Sequence, residues 1–154
     1  MFKIERGNIT NQGKLKDYER GVSFVTQNVR DNGYVKRIKQ EEYKVFEGNS
    51  IIVGRQTGVV HYQEYEFVTT DGVLVLKGDI IKNKNMGLYL TTMIKSNMQG
   101  FGYTNPVTAS KLKDIGIQLP ITSQGNPDWQ YMEDFMRYIE QESEEVINKI
   151  QNMF

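Results

Sequence analysis

The chain has 154 residues, no cysteine, a single histidine, 38% hydrophobic residues and a net charge of zero, with a mean hydropathy of −0.54. That length suffices for one domain with its own core. The missing cysteines exclude disulfide frameworks, thiolate metal sites and thiol nucleophiles. No apolar run approaches the ~20 residues that span a bilayer, and the first six residues lack the apolar stretch of a signal peptide. The expectation is a cytoplasmic protein without a membrane partner.

In chain order, Ser23-Phe24-Val25-Thr26 and Tyr34-Val35-Lys36-Arg37-Ile38 read as strands around Arg30-Asp31-Asn32-Gly33. Asn-Gly is a tight-turn pair because both residues tolerate positive φ. Ser50-Ile51-Ile52-Val53 runs into the turn Gly54-Arg55-Gln56-Thr57-Gly58, and Val59-Val60-His61-Tyr62 and Glu66-Phe67-Val68-Thr69 follow. Asp71-Gly72 then turns the chain into Val73-Leu74-Val75-Leu76. These short runs between turn signals predict a strongly twisted sheet or partial barrel. Met86, Leu90, Met93, Ile94 and Met98 or Asn97 change the period to that of a helix beginning near Asn85, despite Gly87. A short helix capped by Thr108 and stopped near Gly116 comes next, then a last strand over Ile117-Gln118-Leu119-Pro120.

Gly125-Asn126-Pro127-Asp128 predicts a helix start, with Asn126 as cap and Pro127 in the first helical position. From there Trp129, Met132, Met136, Ile139, Val146, Ile150 and Met153 step by three and four, with Ser143 the one polar residue on the seam. Running to Phe154 the helix would measure about 42 Å at ~1.5 Å per residue. Such a stripe is too long for a small body to cover, so the expectation is a helix–helix interface, as a homodimer or with a partner helix.

Charge is polarised. Up to Asn126 the chain carries 17 basic and 12 acidic residues, whereas residues 127–154 carry two and seven. A basic body is permissive for nucleic acid, whose affinity comes largely from phosphate neutralisation.

The chemical motifs are sparse. The glycines of the 54–58 turn and of Gly100-Phe101-Gly102 precede no Gly-Lys-Ser/Thr, and they form no dinucleotide fingerprint. Asn105-Pro106-Val107-Thr108 lacks the second proline and the aromatic of an amino-methyltransferase motif. Glu42, Lys44 and Asp128 have the residue types of a metal nuclease site, but in reversed chain order. His61 lies in an apolar strand and reads as a buried, hydrogen-bonded residue. No catalytic residue, metal site or cofactor is therefore expected.

What remains is a set of polar turns. Arg suits guanine, and Asn and Gln suit adenine. Arg55 and Gln56 are the first candidates for base reading, with Thr57 beside them and Asn32, Tyr103 and Asn105 next. Arg30, Lys36, Arg37, Lys111 and Lys113 suit phosphates. Arg55, between two glycines, is expected to stand free on its turn, the alternative being an ion pair with Glu47 or Glu64.

Several segments resemble a target-recognition domain of type I restriction–modification specificity subunits. They are Val25 through Tyr34, the run from Phe46 to Val60 with Gly48-Asn49 and Gly54-Arg55-Gln56-Thr57-Gly58, Gln63 to Phe67, and Asp71-Gly72-Val73. Ile117-Gln118-Leu119-Pro120-Ile121 followed by Gly125-Asn126-Pro127-Asp128-Trp129-Gln130-Tyr131-Met132-Glu133-Asp134-Phe135 is similar to the family's junction from recognition domain into helix. The resemblance implies a non-catalytic DNA reader working with an adenine methyltransferase (modification) subunit and a restriction or translocase subunit. The family pattern has two recognition domains and two helices, and this chain has one of each, as a half-subunit or excised domain would. Where many relatives carry a basic Tyr-Gly-Arg-Lys-like stretch, Gly100-Phe101-Gly102-Tyr103-Thr104-Asn105-Pro106 stands here.

The expectation is thus an α+β fold, a twisted sheet or partial barrel with short helices over residues 1–125 and a long helix over 126–154. Its function is sequence-specific recognition of double-stranded DNA. The competing readings are a mobile-element decoy that occupies a modification subunit through the helix, and a small metal-dependent nuclease.

Overall fold

The computed structural model describes residues 2–154 and has the expected α+β composition. It separates into two compact units, one ending at Ile117 and the other Gln118–Phe154.

In the first unit, strands β1 (Lys3–Arg6), β2 (Asp17–Val25), β3 (Tyr34–Ile38), β4 (Ser50–Gly54), β5 (Val60–Gln63), β6 (Phe67–Thr69) and β7 (Val73–Lys77) precede helices α1 (Lys84–Ser96) and α2 (Ala109–Asp114). The strands form two sheets rather than one, a four-stranded sheet in the order β1-β7-β4-β5 and a three-stranded sheet in the order β3-β2-β6. The first is antiparallel throughout, whereas β2 and β6 run parallel.

The apolar runs of β4 and β7 are buried on both faces, which is why they lack polar alternation. Ile52, Val73 and Val75 pack with Val25, Phe46 and Phe67 in one core cluster, and α1 lies against β5 and β4. Gly87 is what permits that approach. A Cβ there would stand 2.3 Å from the Tyr62 ring, so the helix tolerates its cost in exchange for closer packing. A second cluster gathers Ile9, Leu15, Val22, Phe24, Ile38 and Val68.

Several local expectations change. β1 is an additional strand, registered on β7 from Lys3↔Lys77 to Arg6↔Leu74. β2 begins six residues before Ser23, and because Asp17 and Val22 are both registered on Ile38, residues 18–21 bulge out of the ladder. The Asn-Gly turn has the expected signs, φ 54° at Asn32 and 79° at Gly33, but Asp31 joins them at 52°. Three successive left-handed residues make a wider loop between β2 and β3 than a two-residue hairpin. Asn83 caps α1 through Met86 N, and Thr108 caps α2 through Lys111 N. The strand expected at residues 117–120 does not form, for it has no neighbouring strand to pair with.

In the second unit a turn precedes α3 (Trp129–Gln151). Ile121 bridges Pro127, and Thr122 N donates to the Asn126 carbonyl at 2.7 Å. That bridge keeps the chain extended through Pro127, so the cap falls not on Asn126 but on Asp128, which accepts from Tyr131 N at 2.9 Å. The helix is 23 residues long, about 35 Å at ~1.5 Å per residue. Met132 is buried, and Trp129 and Met136 are half-buried. From Ile139 onward every residue is exposed, including Ile139, Val146, Ile150 and Met153 on the seam and Ile147 beside it.

Candidate nucleic-acid interface

Of the polar turns singled out from sequence, the one after β4 is tied to the loop after β2 and to the segment before α2, while Asn32 and Asn105 bond elsewhere in the first unit. The turn after β4 is central. Gly54 N donates to the Val59 carbonyl and Gly58 N to the Gly54 carbonyl, which closes the loop. A Cβ on Gly54 would meet Thr57 Oγ1 at 2.4 Å and the Gln27 Cβ at 2.7 Å, so only glycine fits there.

On one side this turn is tied to the loop after β2. Gln27 Oε1 accepts from Gln56 N at 2.9 Å and Thr57 N at 3.3 Å, Gln27 Nε2 donates to Gln56 Oε1 at 2.8 Å, and Thr57 Oγ1 donates to the Gln27 carbonyl at 3.0 Å. On the other side it is tied to the segment before α2. Val107 N donates to the Arg55 carbonyl at 2.7 Å, and Arg55 Nε donates back to the Val107 carbonyl at 3.3 Å. The 71–72 turn joins the same cluster, since Arg55 N donates to the Gly72 carbonyl at 2.9 Å and Arg55 Nη1 to that of Asp71 at 3.4 Å.

Arg55 therefore does not stand free, and its partners are neither Glu47 nor Glu64. Glu47 pairs with Lys77 and Glu64 with Lys84. The half-buried guanidinium spends two of its five donors on backbone carbonyls of two other segments.

Other candidates are similarly engaged. Asn105 is held at both ends of its carboxamide, donating to the Gly100 carbonyl and accepting from Lys111 Nζ at 2.7 Å. Asn32 Nδ2 donates to the Tyr62 carbonyl on β5, where a cavity of about 390 Å³ opens between Asn32, Tyr34, Tyr62 and Tyr65. Burial, then the Glu64 charge, raises the Tyr62 pKa above the ordinary phenol value. Lys36 is paired with Asp17 at 2.5 Å, and Arg37 donates to the Gly21 carbonyl at 2.9 Å. Both lie on β3 rather than in the loop cluster.

Arg30, Gln56, Tyr103 and Lys113 are exposed. The side chains of Arg30 and Lys113 have no polar partner among the described residues. Tyr103 is 76% exposed and Val29, beside Arg30, 69%. Gln27, not singled out as a site residue from sequence, lies two residues past the end of β2 within the 25–34 segment that carries the resemblance. Its only signal is the run of polar residues that follows Val25.

His61 is half-buried rather than buried, and its Nε2 lies 2.8 Å from the Asn28 carbonyl. Lys44 pairs with Glu5, and Asp128 serves as the helix cap. Among the described residues no three His, Cys, Asp or Glu side chains gather as a metal site.

The first unit is thus an α+β domain with a polar, loop-built surface, and the second carries a long amphipathic helix. The family model described as type I restriction modification DNA specificity domain matches residues 1–152, and the chain belongs to that family. It is 30% identical over 141 residues to the specificity subunit S.BcgI of a type II restriction enzyme of Heyndrickxia coagulans, covering 90% of this chain and 41% of that protein. The fold is shared with the HsdS subunit from Thermoanaerobacter tengcongensis at a TM-score of 0.62 and 13% identity, over 92% of this chain and 35% of that one. It is shared with a type I restriction–modification S subunit from M. genitalium at 0.63 and 9%, over 98% and 40%. The chain thus spans about two fifths or less of the length of these proteins.

Proposed function

We propose that this chain reads DNA sequence for a type I-like restriction–modification complex and leaves the chemistry to other subunits. The observation that carries the reading is the bracing of the loops around Arg55. The turn that carries Gln56 is tied to the loop after β2 and to the segment before α2 before any ligand arrives, with Arg30 and Tyr103 on neighbouring stretches of those two segments and Lys113 on α2, so little ordering entropy is lost on binding. Exposed Gln56 and Tyr103 suit base edges and stacking, while Arg30 and Lys113, with Lys111, Lys36 and Arg37 further out, suit phosphates. The proposed partners are double-stranded DNA, an adenine methyltransferase subunit and a restriction or translocase subunit, all in the cytoplasm.

The exposed half of α3 supports association with a second helix. Seam residues Ile139, Val146, Ile150 and Met153 would each contribute roughly 1.5 to 3 kcal/mol if fully buried. A second copy is the simplest partner. Glu140, Glu142, Glu144 and Glu145 outweigh Arg137 and Lys149, which disfavours a parallel pair and favours an antiparallel one. Two-fold symmetry would then place identical recognition domains on an interrupted palindrome.

Affinity capture from host lysate, with mass spectrometry, tests the reading. Recovery of an adenine methyltransferase is the expected result, and its repeated absence while the protein still binds DNA would contradict the proposed complex.

A further inference from the structure

The contacts of Gln27 determine which way round the Gln56 carboxamide faces. Two backbone donors, Gln56 N and Thr57 N, converge on one end of the Gln27 side chain. Only a carboxamide oxygen accepts hydrogen bonds, so that end is Oε1 and the other end is the NH₂ group. The NH₂ group donates to the Gln56 side chain, which must answer with its own oxygen. Gln56 is exposed, and the end of its carboxamide not bonded to Gln27 is the nitrogen with its two N–H donors.

We propose that Gln27 is a specificity-positioning residue that fixes the sense of the Gln56 carboxamide, so that this turn offers donors and reads an acceptor edge, N7 and O6 of guanine in the major groove. Adenine engages both ends of a carboxamide, one to accept from N6 and one to donate to N7. The Gln56 oxygen, with one of its two lone pairs taken by Gln27 Nε2, is the less available end, whereas both N–H donors are free of Gln27. A free Gln in this turn would read adenine. A Gln held by Gln27 reads guanine. The inference rests on the DNA-reading function proposed above.

The test is selection from a library of randomised DNA duplexes with three full-length chains: wild type, Gln27→Glu and Gln27→Ala. A carboxylate at position 27 still accepts from Gln56 N and Thr57 N but has no donor, so Gln56 must turn its nitrogen inward and its oxygen outward. Preference at one position of the motif should then move from guanine to a base with a donor edge, adenine or cytosine, by roughly tenfold. Gln27→Ala should blur that position. Amide exchange supplies the accompanying structural readout, with Gln56 N and Thr57 N protected in wild type and Gln27→Glu and open in Gln27→Ala.

An unchanged guanine preference in Gln27→Glu overturns the inference while leaving DNA reading intact. A wild-type chain that enriches no motif overturns the DNA-reading function and the inference together. Should Gln27→Glu fail to fold, Gln56→Met removes the donors and leaves the backbone bonds of Gln27 in place. Retention of guanine at the same position by that variant is equally fatal.

Discussion

Arg55 and Val107 hold each other in both directions: the Val107 amide donates to the Arg55 carbonyl at 2.7 Å, and Arg55 Nε donates to the Val107 carbonyl at 3.3 Å. Residues separated by 52 positions in the chain are thereby joined by one backbone and one side-chain hydrogen bond. The Asp71 carbonyl, reached by Arg55 Nη1, adds a third segment. A residue whose type and turn suggest a base contact is thus an internal brace of the surface.

Arg55→Ala should therefore lower thermal stability, by about 1 to 3 kcal/mol for the loss of charged hydrogen bonds to carbonyls that are then left less satisfied. DNA binding should weaken alongside it, because the loops lose their common support. Calorimetry and a duplex titration on the same sample decide the matter. An unchanged melting temperature with lost DNA affinity would mean that the guanidinium works on DNA and not on the fold.

Arg30 and Lys113 should behave in the opposite way. Their charged groups brace nothing among the described residues, so Arg30→Ala and Lys113→Ala should leave the melting temperature unchanged. Each should reduce the salt slope of DNA binding by about one if its charge meets a phosphate. A variant that binds with the wild-type slope removes that residue from the interface.

The apolar seam of α3 makes a prediction about assembly. Ile139 and Ile150 are 41% and 51% exposed, and replacing both by Glu puts charge into any helix–helix contact. Light scattering at tens of micromolar should find the wild-type chain as a dimer and Ile139→Glu/Ile150→Glu as a monomer. Added salt should tighten the wild-type dimer by screening its glutamates. A strictly monomeric wild type would leave the seam to a different partner helix.

A smaller effect concerns acid stability. Hydrogen bonds from Lys3, at 2.5 Å, and from Lys44 hold the Glu5 carboxyl below its ordinary pKa in the folded chain. The stabilisation is fully present above the unfolded-state pKa and is lost as pH falls through the folded one. Wild type should lose more stability than Glu5→Gln between about pH 6 and about pH 3. For a pair this accessible the difference should stay below about 1 kcal/mol. Parallel loss in both proteins would show that neither lysine contact matters to the fold.

Most of the strands were legible because they are short apolar runs punctuated by Asn-Gly, Gly-x-x-x-Gly and Asp-Gly, and β3 to β7 lie within a residue or so of where those signals put them. β1 was not, because Lys3, Glu5 and Arg6 leave one apolar residue in four, and its pairing with β7 supplies what its pattern lacks. Nor does periodicity reveal that the strands divide into two sheets, since pairing partners are set by the path of the whole chain. The cap of α3 moved from Asn126 to Asp128 because an Ile121–Pro127 bridge competes for the intervening residues.

The candidate site was legible as a set of turns but not in its wiring. Arg, Asn, Gln and Thr donate to a backbone carbonyl as readily as to a base or a phosphate. Composition alone cannot separate Arg55, Asn105 and Thr57, which brace, from Arg30 and Lys113, which do not. Gln27, two residues past the end of β2, lies in a segment that resembles the family but carries no sign of its role, which the positions of Gln56 N and Thr57 N reveal.

The central claim is specific DNA reading by the braced loops, and a competition titration measures it most directly. The duplex enriched from a random library is labelled and displaced, at physiological salt, by itself or by a scrambled duplex of the same composition. The scrambled duplex should compete at least about a thousandfold more weakly, and the enriched sequence should be an interrupted palindrome. Equal competition by both duplexes would reduce the interface to a phosphate-binding surface and contradict the account.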